Sequence, residues 1–240
     1  MRLLVIDTET GGLDPNECSL LTYAGVLWED GAVLDTVGPV YVKEPVLHLT
    51  IEAMRVNRID LLDPAHEWLP LESATIPLRK FAMKHFRGRE TFLPIAAHNA
   101  DFDVRFFSRL WGMAHNAKPP FDRRAICTMQ LLKACVAAGL VDEERLGAKY
   151  TLQSAINYFG IKLEDGTTEQ RHDCLGDAML AARLMTRLLK LMRAGAPAEA
   201  QDEHPDTPAG LDAAVQQRLG EWKDLGRVGM PARLLPERVS

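Results

Sequence analysis

The spacing of apolar and polar residues predicts strands and helices in alternation along most of the chain. Residues 2–8 form an apolar run typical of a buried strand. Two further strands are predicted over 20–28 and 32–42, joined by a Glu-Asp-Gly turn that is typical of a hairpin. One more strand is predicted over 91–97, and helices are predicted over 51–57, 77–86, 101–113, 129–138, 152–159 and 174–192. Hairpin strands followed by alternating strands and helices favour an α/β fold, with a mixed sheet covered by helices.

The composition changes after Arg193. Residues 194–210 are rich in alanine, proline and acidic residues, which is typical of a flexible linker. Beyond them, four apolar side chains lie at helical spacing: Leu211, Val215, Leu219 and Trp222. The sequence therefore predicts one domain over 1–193, a linker over 194–210 and a tail over 211–240 that contains a short amphipathic helix.

Composition narrows the classes of protein to which the chain can belong. Its 240 residues are 47% hydrophobic and 25% charged, which is ordinary for a globular protein. No apolar run approaches the roughly 18–20 residues of a membrane span, and the N-terminus lacks a signal-peptide pattern, so a cytoplasmic location is expected. Four scattered cysteines argue against a zinc ribbon or a disulfide framework. The net charge of −5 does not favour salt-driven binding of nucleic acid, so such a substrate would be held locally or delivered by a partner.

Two acidic residues, Asp7 and Glu9, interrupt the first apolar strand. Because side chains alternate along a strand, both lie on one face, at the carboxyl end where α/β sheets bind ligands. Gly11 and Gly12 follow, and glycines let the backbone turn sharply and approach a ligand closely. Taken alone, this stretch fits either two solvated acids at a strand end or one half of a ligand site.

Two predicted helices also carry an acidic residue at the head of an apolar stripe. The first stripe consists of Asp103, Phe106, Phe107 and Leu110, and the second of Asp177, Leu180, Ala181, Leu184 and Leu188. An acid in such a position faces the sheet rather than water. Asp103 and Asp177 are therefore predicted to point inward.

Other polar residues at the starts of these helices have different expected roles. Asp101 and Asp173 are typical of helix starts, where a carboxylate caps the helix or interacts with its dipole. Asn99 fits either an N-cap or a polar contact to a ligand, and His98 is expected to be structural. With Asp173 as the cap, His172 lies in the preceding loop. From there its side chain can point toward the same place as the carboxylate of Asp177, one turn inside the helix.

Four inward-facing carboxylates, Asp7, Glu9, Asp103 and Asp177, thus come from three segments with no inward-facing lysine or arginine evident nearby. Like charges in a poorly solvated site repel one another strongly. Mg²⁺ and Mn²⁺ prefer oxygen ligands, and two such ions about 3.5–4 Å apart form a site for phosphoryl transfer. His172 then fits a general base that takes a proton from the attacking water, since the pKa of imidazole is about 6.5.

Three ordered motifs resemble those of the DEDDh exonucleases, a family that includes the proofreading subunit of bacterial DNA polymerase III and RNase T. They are DTETGGLDP (7–15), HNADFD (98–103) and RHDCLGDA (171–178), in which Cys174 stands where a small residue is common. The stretch YTLQSAINYFGI (150–161) is also similar to the family. The resemblance covers roughly residues 1–192.

The resemblance implies an RNase H-like fold, with a five-stranded mixed sheet flanked by helices, and 3′→5′ release of nucleoside 5′-monophosphates with two Mg²⁺ or Mn²⁺ ions. It implies that Asp7, Glu9, Asp103 and Asp177 are the metal ligands, that Asp7 binds both ions, and that His172 is the general base. The implied substrate contacts are Thr10, Gly12, Leu13, Val56 and Asn57, with Leu13 as an apolar wedge against the terminal base and Asn99 near the substrate.

The leading hypothesis is a 3′→5′ exonuclease acting on single-stranded or frayed DNA ends, with proofreading as its candidate role. An exoribonuclease resembling RNase T is the alternative, because discrimination depends on a contact to the 2′-hydroxyl that the sequence does not locate. A non-catalytic nucleic-acid-binding module is opposed by the complete set of acids and His172. The linker and tail resemble the tether of a proofreading subunit, so a DNA polymerase is an expected partner, with a tail that binds nothing as the alternative.

Overall fold

The computed structural model describes residues 1–88, 91–122, 124–163, 166, 169–170 and 172–195. Within these residues the strands form one mixed sheet with the order β4-β3-β2-β1-β5-β6. They are β1 (Arg2–Thr10), β2 (Leu20–Glu29), β3 (Ala32–Lys43), β4 (Trp68–Pro70), β5 (Ile95–Ala97) and β6 (Ile126–Cys127). The first three strands are antiparallel, whereas β5 runs parallel to β1, β6 to β5 and β4 to β3. The predicted α/β fold with a mixed sheet is confirmed.

Six of the helices in the described chain lie where the apolar spacing predicts helices, and two helices of four residues, over 71–74 and 143–146, were not predicted. In the described chain the helices are α1 (Ile51–Asn57), α2 (Leu71–Ala74), α3 (Ile76–His85), α4 (Ala100–His115), α5 (Thr128–Ala137), α6 (Glu143–Leu146), α7 (Leu152–Phe159) and α8 (Cys174–Gly195). Side-chain caps stabilise several of the helix starts, including those of α1 and α7. Thr50 Oγ1 accepts a hydrogen bond from the Ala53 amide at 3.2 Å, and Thr151 Oγ1 accepts one from Ser154 at 3.1 Å.

The sheet separates two apolar cores. On one face, Leu4 and Ile6 of β1 belong to the cluster that contains Phe106 of α4. On the other face, Leu3 and Val5 belong to the cluster that α8 fills. This division follows from the alternation of side chains along β1. As a result, the carboxyl end of β1 presents side chains to the start of a helix on each face of the sheet.

The described sheet has six strands, whereas the resemblance implied five, so the predicted strand count is wrong. β4 and β6 have only three and two residues, too few to show an alternating pattern. β4 lies at the edge of the sheet, where a strand tolerates its Pro70. The predicted strand over 91–97 is reduced to Ile95–Ala97, because Leu93 forms only an isolated bridge with Phe121.

The last described helix, α8, continues to Gly195, two residues beyond the predicted domain end at Arg193. The predicted linker from residue 196 onward and the tail over 211–240 lie outside the described residues. Among the helices of the described chain, none combines the length and the apolar character that crossing a membrane requires.

A buried ion pair holds α4 against the loops beside the carboxyl end of β1. Arg109 donates from Nη2 and Nε to the Glu44 carboxylate at 2.8 and 3.1 Å, and the Glu44 side chain is 1% exposed. Glu44 also accepts hydrogen bonds from Ser19 Oγ at 2.9 Å and from the Leu20 amide at 3.1 Å. Arg109 Nη1 donates to the Pro15 carbonyl at 3.2 Å. The pair therefore connects three segments of the chain.

Replacing Arg109 by methionine is expected to lower the free energy of unfolding by about 3 kcal/mol, because Glu44 is left buried without its countercharge. The matched control is Arg105→Met on the same helix, which breaks an exposed pair with Asp101 and is expected to cost less than about 0.5 kcal/mol. Urea denaturation measures both changes. A double variant that adds Glu44→Gln should recover part of the loss, and equal losses at the two arginines would contradict the interpretation.

Candidate functional site

The carboxyl end of β1 holds the first two acids. β1 pairs with β5 only at Leu4 and Val5, so the end of β1 continues beyond its parallel neighbour. The register between β1 and β2 shifts between Glu9 and Thr10, and such a bulge redirects side chains. Asp7 is partly buried and Glu9 is buried. Both are on the Val5 face of the strand, the face that α8 covers.

α4 supplies Asp103 from the opposite face of the sheet. Asp103 lies in the first turn of α4 and is 2% exposed, with Phe106 and Phe107 buried behind it. Its Oδ1 accepts a hydrogen bond from Thr8 Oγ1 at 2.8 Å. Thr8 points away from the α8 face because it alternates with Asp7 along β1. The inward orientation that the helical spacing predicts for Asp103 is present.

α8 supplies Asp177 in its first turn. The helix start is fixed by Asp173, whose Oδ1 accepts a hydrogen bond from the Gly176 amide at 2.8 Å. Gln170 Nε2 donates to Asp177 Oδ2 at 2.6 Å. The other oxygen, Oδ1, is buried and has no hydrogen-bond partner in the described part of the chain. Because a buried carboxylate oxygen without a partner is costly, this atom indicates a position for a cation.

The carboxylates form one cluster. Asp7, Glu9 and Asp177 each offer an oxygen within 4.8 Å of the others. Burial raises the pKa of all four acids, to about 9 for Glu9 and about 7 for Asp103 and Asp177. The pKa of Asp7 is raised well above its usual value, first by burial and then by the charges of Asp103, Asp177 and Glu9. The structure therefore brings together the four acids that the sequence selects.

The donor set fits a hard divalent cation. A cavity of about 680 Å³ opens over the cluster, and its described lining contains seven acidic residues and no lysine or arginine. Carboxylate oxygens are the ligands that Mg²⁺ and Mn²⁺ prefer. The adjacent Cys174 does not offer a soft thiolate, because burial raises the pKa of its thiol. A divalent cation would supply the positive charge that this group of side chains lacks.

His172 lines the same cavity from the loop before α8. Its backbone is left-handed, with φ of 54°, and its side chain is half-buried. Burial, and then the charge of Arg58, lowers the pKa of the imidazole below its usual 6.5. The ring is therefore neutral near pH 7 and can accept a proton. Within the described residues, no hydrogen bond occupies its nitrogens, and it is not part of the three-carboxylate group.

The raised pKa values predict how the stability of the metal-free protein varies with pH. The unfolded chain loses these protons near pH 4, whereas the folded chain keeps them until about pH 7 for Asp103 and Asp177 and about pH 9 for Glu9. The folded state binds more protons across this window, so the four acids make stability fall as the pH rises through it. Each retained proton contributes a slope of about 1.4 kcal/mol per pH unit.

Glu9→Gln is expected to flatten this dependence, since it removes one of the retained protons. Thermal melting in EDTA at several pH values from about 6 to 9 measures the difference between Glu9→Gln and the unchanged protein. Parallel melting curves at every pH would contradict the assignment of the raised pKa to Glu9.

Five of the six predicted substrate contacts line the cavity: Thr10, Gly12, Leu13, Val56 and Asn57. Leu13 is 85% exposed and Val56 is 49% exposed, so the rim presents apolar side chains to solvent. Asn57 Nδ2 donates to the Thr10 carbonyl at 3.0 Å, and Asn57 Oδ1 accepts from the Ile59 amide at 3.2 Å. The Asn57 amide thus holds α1 against the end of β1 and contributes to the cavity wall.

Asn99 does not line this cavity. It occupies the N-cap position of α4 with φ of 66°, but its side chain makes no capping hydrogen bond. It lines a second cavity together with His98. His98 is held by Thr128 Oγ1 and by the Tyr150 carbonyl, each at 3.0 Å, and burial lowers the pKa of its ring to about 4. These two hydrogen bonds favour the structural role that is expected for His98 from the sequence.

The two glycines after Glu9 are explained by contacts within the protein. A Cβ on Gly11 would lie 2.2 Å from the His48 carbonyl oxygen, and a Cβ on Gly12 would lie 2.4 Å from Cys18 Sγ. The Gly11 carbonyl also accepts a hydrogen bond from the Thr50 amide at 2.6 Å. The glycines thus let the loop pack against its neighbours, whereas the sequence analysis attributed them to a turn and to the approach of a ligand.

Sequence reasoning missed two polar residues that support the acids, Thr8 and Gln170. Thr8 bonds to Asp103 across 95 positions of sequence, a separation that no local pattern reveals. Gln170 lies in the loop seven residues before Asp177, outside any periodic segment. Its place just before the third motif is the one signal that marks it.

No family model matches the chain. It is 24% identical over 200 residues to the DNA polymerase III PolC-type of Thermotoga petrophila, a stretch that covers 79% of this chain and 12% of that polymerase. The chain thus spans about an eighth of the length of this relative.

Among solved structures, E. coli exonuclease I in its zinc-bound complex with single-stranded DNA has a TM-score of 0.56 at 17% identity, covering 80% of this chain and 42% of that one. The nuclease domain of 3′hExo, described as a DEDDh family member and bound to rAMP, has a TM-score of 0.60 at 17% identity. The match covers 79% of this chain and 92% of that one. A 3′-exonuclease that recognises the histone mRNA stem-loop has a TM-score of 0.60 at 16% identity. The match covers 79% of this chain and 63% of that one. The chain therefore has the fold of the DEDDh exonucleases, and the predicted RNase H-like fold is confirmed.

Proposed function

We propose that the chain is a metal-dependent 3′→5′ exonuclease that releases nucleoside 5′-monophosphates from single-stranded or frayed DNA 3′ ends. The observation that carries this proposal is the cluster of Asp7, Glu9 and Asp177, whose oxygens lie within 4.8 Å of one another, in one cavity with Asp103 and His172. The fold shared with DEDDh exonucleases and the order of the three motifs support the same reaction.

In this proposal, Asp7, Glu9, Asp103 and Asp177 would hold two Mg²⁺ or Mn²⁺ ions, and Asp7 would be a ligand of both. The ions, when bound, stabilise the charge on the attacking and leaving oxygens of the phosphodiester. Thr8 and Gln170 fix the orientations of Asp103 and Asp177 through their hydrogen bonds.

His172 is proposed to accept a proton from the water that attacks the terminal phosphodiester. The water oxygen forms the new bond to phosphorus, the bond from phosphorus to the 3′ oxygen of the preceding nucleotide breaks, and that oxygen takes up a proton from solvent. Leu13, exposed on the rim, is proposed to pack against the base of the terminal nucleotide, beside Thr10 and Gly12.

A second candidate is a 3′→5′ exoribonuclease. It is favoured by two structural neighbours, one bound to rAMP and one that recognises an mRNA stem-loop. A purely binding module is opposed by the grouping of the five side chains that are proposed to be catalytic, because all of them line one cavity: Asp7, Glu9, Asp103, His172 and Asp177.

The test is a competition in one tube between a single-stranded DNA and an RNA of the same sequence, each labelled at its 5′ end, with Mg²⁺. We expect the DNA to shorten stepwise from its 3′ end with release of 5′-mononucleotides, and EDTA to stop the reaction. Faster shortening of the RNA would select the exoribonuclease. An intact DNA and an intact RNA, or internal cuts, would contradict the exonuclease.

We also propose a DNA polymerase or another replication protein as a partner, with proofreading as the role. The similarity to part of a PolC-type polymerase supports this proposal. The segment expected to bind the partner, 194–240, lies outside the described residues from 196 onward. Truncation after Gly195 should keep the nuclease activity and abolish capture of a polymerase; capture that survives the truncation would exclude the tail.

A further inference from the structure

A second cavity, of about 500 Å³, adjoins the candidate site. It shares His98 and Gln170 with the site cavity, and its other lining residues include Met129, Lys133, Lys149 and Tyr150. Gln170 is also the residue that bonds to Asp177 Oδ2. The boundary between the two cavities thus lies next to the carboxylate cluster. We call the second cavity the lysine groove.

The charges of the two cavities are opposite. Seven acids line the site cavity, whereas the described lining of the lysine groove has two lysines and no acid. Lys133 Nζ lies 5.4 Å from the centroid of the Tyr150 ring, and neither Lys133 nor Lys149 forms an ion pair with a described carboxylate. Both lysines are exposed and available to an anionic ligand.

Another neighbouring cavity is less suited to an anion. It shares Glu17, Cys18 and Thr50 with the site and contains Arg109. The Arg109 guanidinium is already paired with Glu44 at 2.8 Å. A nucleic-acid strand that left the site in this direction would pass the negative charge of Glu17, and the charge of Arg109 is already neutralised by Glu44.

We propose that the lysine groove binds the phosphate backbone of the nucleotides that lie 5′ of the terminal one, so that the strand leaves the site past His98 and Gln170. This inference rests on the proposed function and adds the path of the substrate. Lys133 and Lys149 provide the contacts to phosphate, and Met129 and Tyr150 provide apolar surface for a sugar or base. His98, fixed by two hydrogen bonds, is a rigid part of the boundary.

The test compares substrates that reach the groove with substrates that do not. In the double variant Lys133→Gln/Lys149→Gln, we expect the KM for a long single-stranded oligonucleotide to rise about fivefold to tenfold with kcat unchanged, while the KM for a dinucleotide stays within about twofold. The slope of log KM against log salt should flatten by about 1.4, because each lost phosphate contact on a single strand contributes about 0.7. Lys80→Gln/Lys190→Gln removes the same charge from exposed positions away from both cavities and should change neither parameter.

A binding measurement keeps the groove testable if the nuclease proposal fails. Fluorescence anisotropy of a labelled oligonucleotide, with Asp7→Asn protein to prevent hydrolysis, should show affinity reduced about fivefold to tenfold by the groove substitutions. Unchanged affinity and salt dependence would overturn the groove, even in an active nuclease. An equal rise in KM for the dinucleotide would also overturn it, because the lysines would then act on the terminal nucleotide.

If the unchanged protein degrades no nucleic acid but the groove variant still binds less tightly, the proposed function fails and the groove stands.

Discussion

Replacing Asp7 by asparagine is expected to lower the rate of 3′-end hydrolysis by about 10³-fold or more, and to stabilise the metal-free fold at pH 8. The loss of rate follows from removing the carboxylate that the proposal assigns to both metal ions. The gain in stability has a separate cause. Asp7 has a pKa raised by burial and by the charges of Asp103, Asp177 and Glu9, so its ionised form is unfavourable in the fold without a cation.

Asparagine has nearly the same shape as aspartate, so packing around β1 is kept. Hydrolysis is measured with 5′-labelled single-stranded DNA, and stability by thermal melting in EDTA and again with Mn²⁺. We expect Mn²⁺ to raise the melting temperature of the unchanged protein and to leave that of Asp7→Asn nearly unchanged, because binding to the folded state alone stabilises a protein. Asp101→Asn is the matched control, since Asp101 is an exposed acid of the second motif that pairs with Arg105.

The two readouts separate a metal centre from a structural acid. A variant that is inactive and less stable in EDTA would mean that Asp7 supports the fold rather than a cation. A variant that keeps its activity would contradict the proposed chemistry outright. Loss of activity together with a more stable metal-free fold is the combination that a cluster of uncompensated carboxylates requires.

The sequence alone predicts most of the architecture, because apolar residues recur at a regular spacing along the long strands and helices. α7 has the predicted bounds, and the hairpin of β2 and β3 lies where the Glu-Asp-Gly turn indicates. The short elements β4, β6, α2 and α6 were not predicted. They contain two to four residues each, and pairing with a neighbouring strand or packing from distant segments, rather than local spacing, determines them.

The acids of the site were predictable because each one stands at a position where the surrounding pattern predicts a buried apolar residue. Asp7 and Glu9 interrupt an apolar strand, and Asp103 and Asp177 head apolar stripes. A residue whose type is ordinary for its strand, helix or loop cannot be singled out in this way. Thr8 is an ordinary strand residue, and its hydrogen bond to Asp103 depends on how α4 crosses the end of β1. The tertiary fold, rather than any local pattern, selects these supporting partners.

Replacing His172 is expected to lower the rate by about 10²–10⁴-fold while the metal-induced rise in melting temperature stays the same. Two variants keep the fold intact for different reasons. Asparagine tolerates the left-handed backbone that His172 adopts, with φ of 54°. Alanine keeps the Cβ and leaves space for an added imidazole. Neither side chain can accept a proton from water near neutral pH.

The same measurements distinguish a general base from a metal ligand. His172 lines the cavity but lies outside the group formed by Asp7, Glu9 and Asp177, so we expect calorimetry to give the same Mn²⁺ affinity with and without its ring. Free imidazole should restore part of the rate of His172→Ala, since the missing group is a proton acceptor. If Mn²⁺ affinity falls with the rate and imidazole restores nothing, His172 binds metal, and the attacking water must lose its proton to another acceptor.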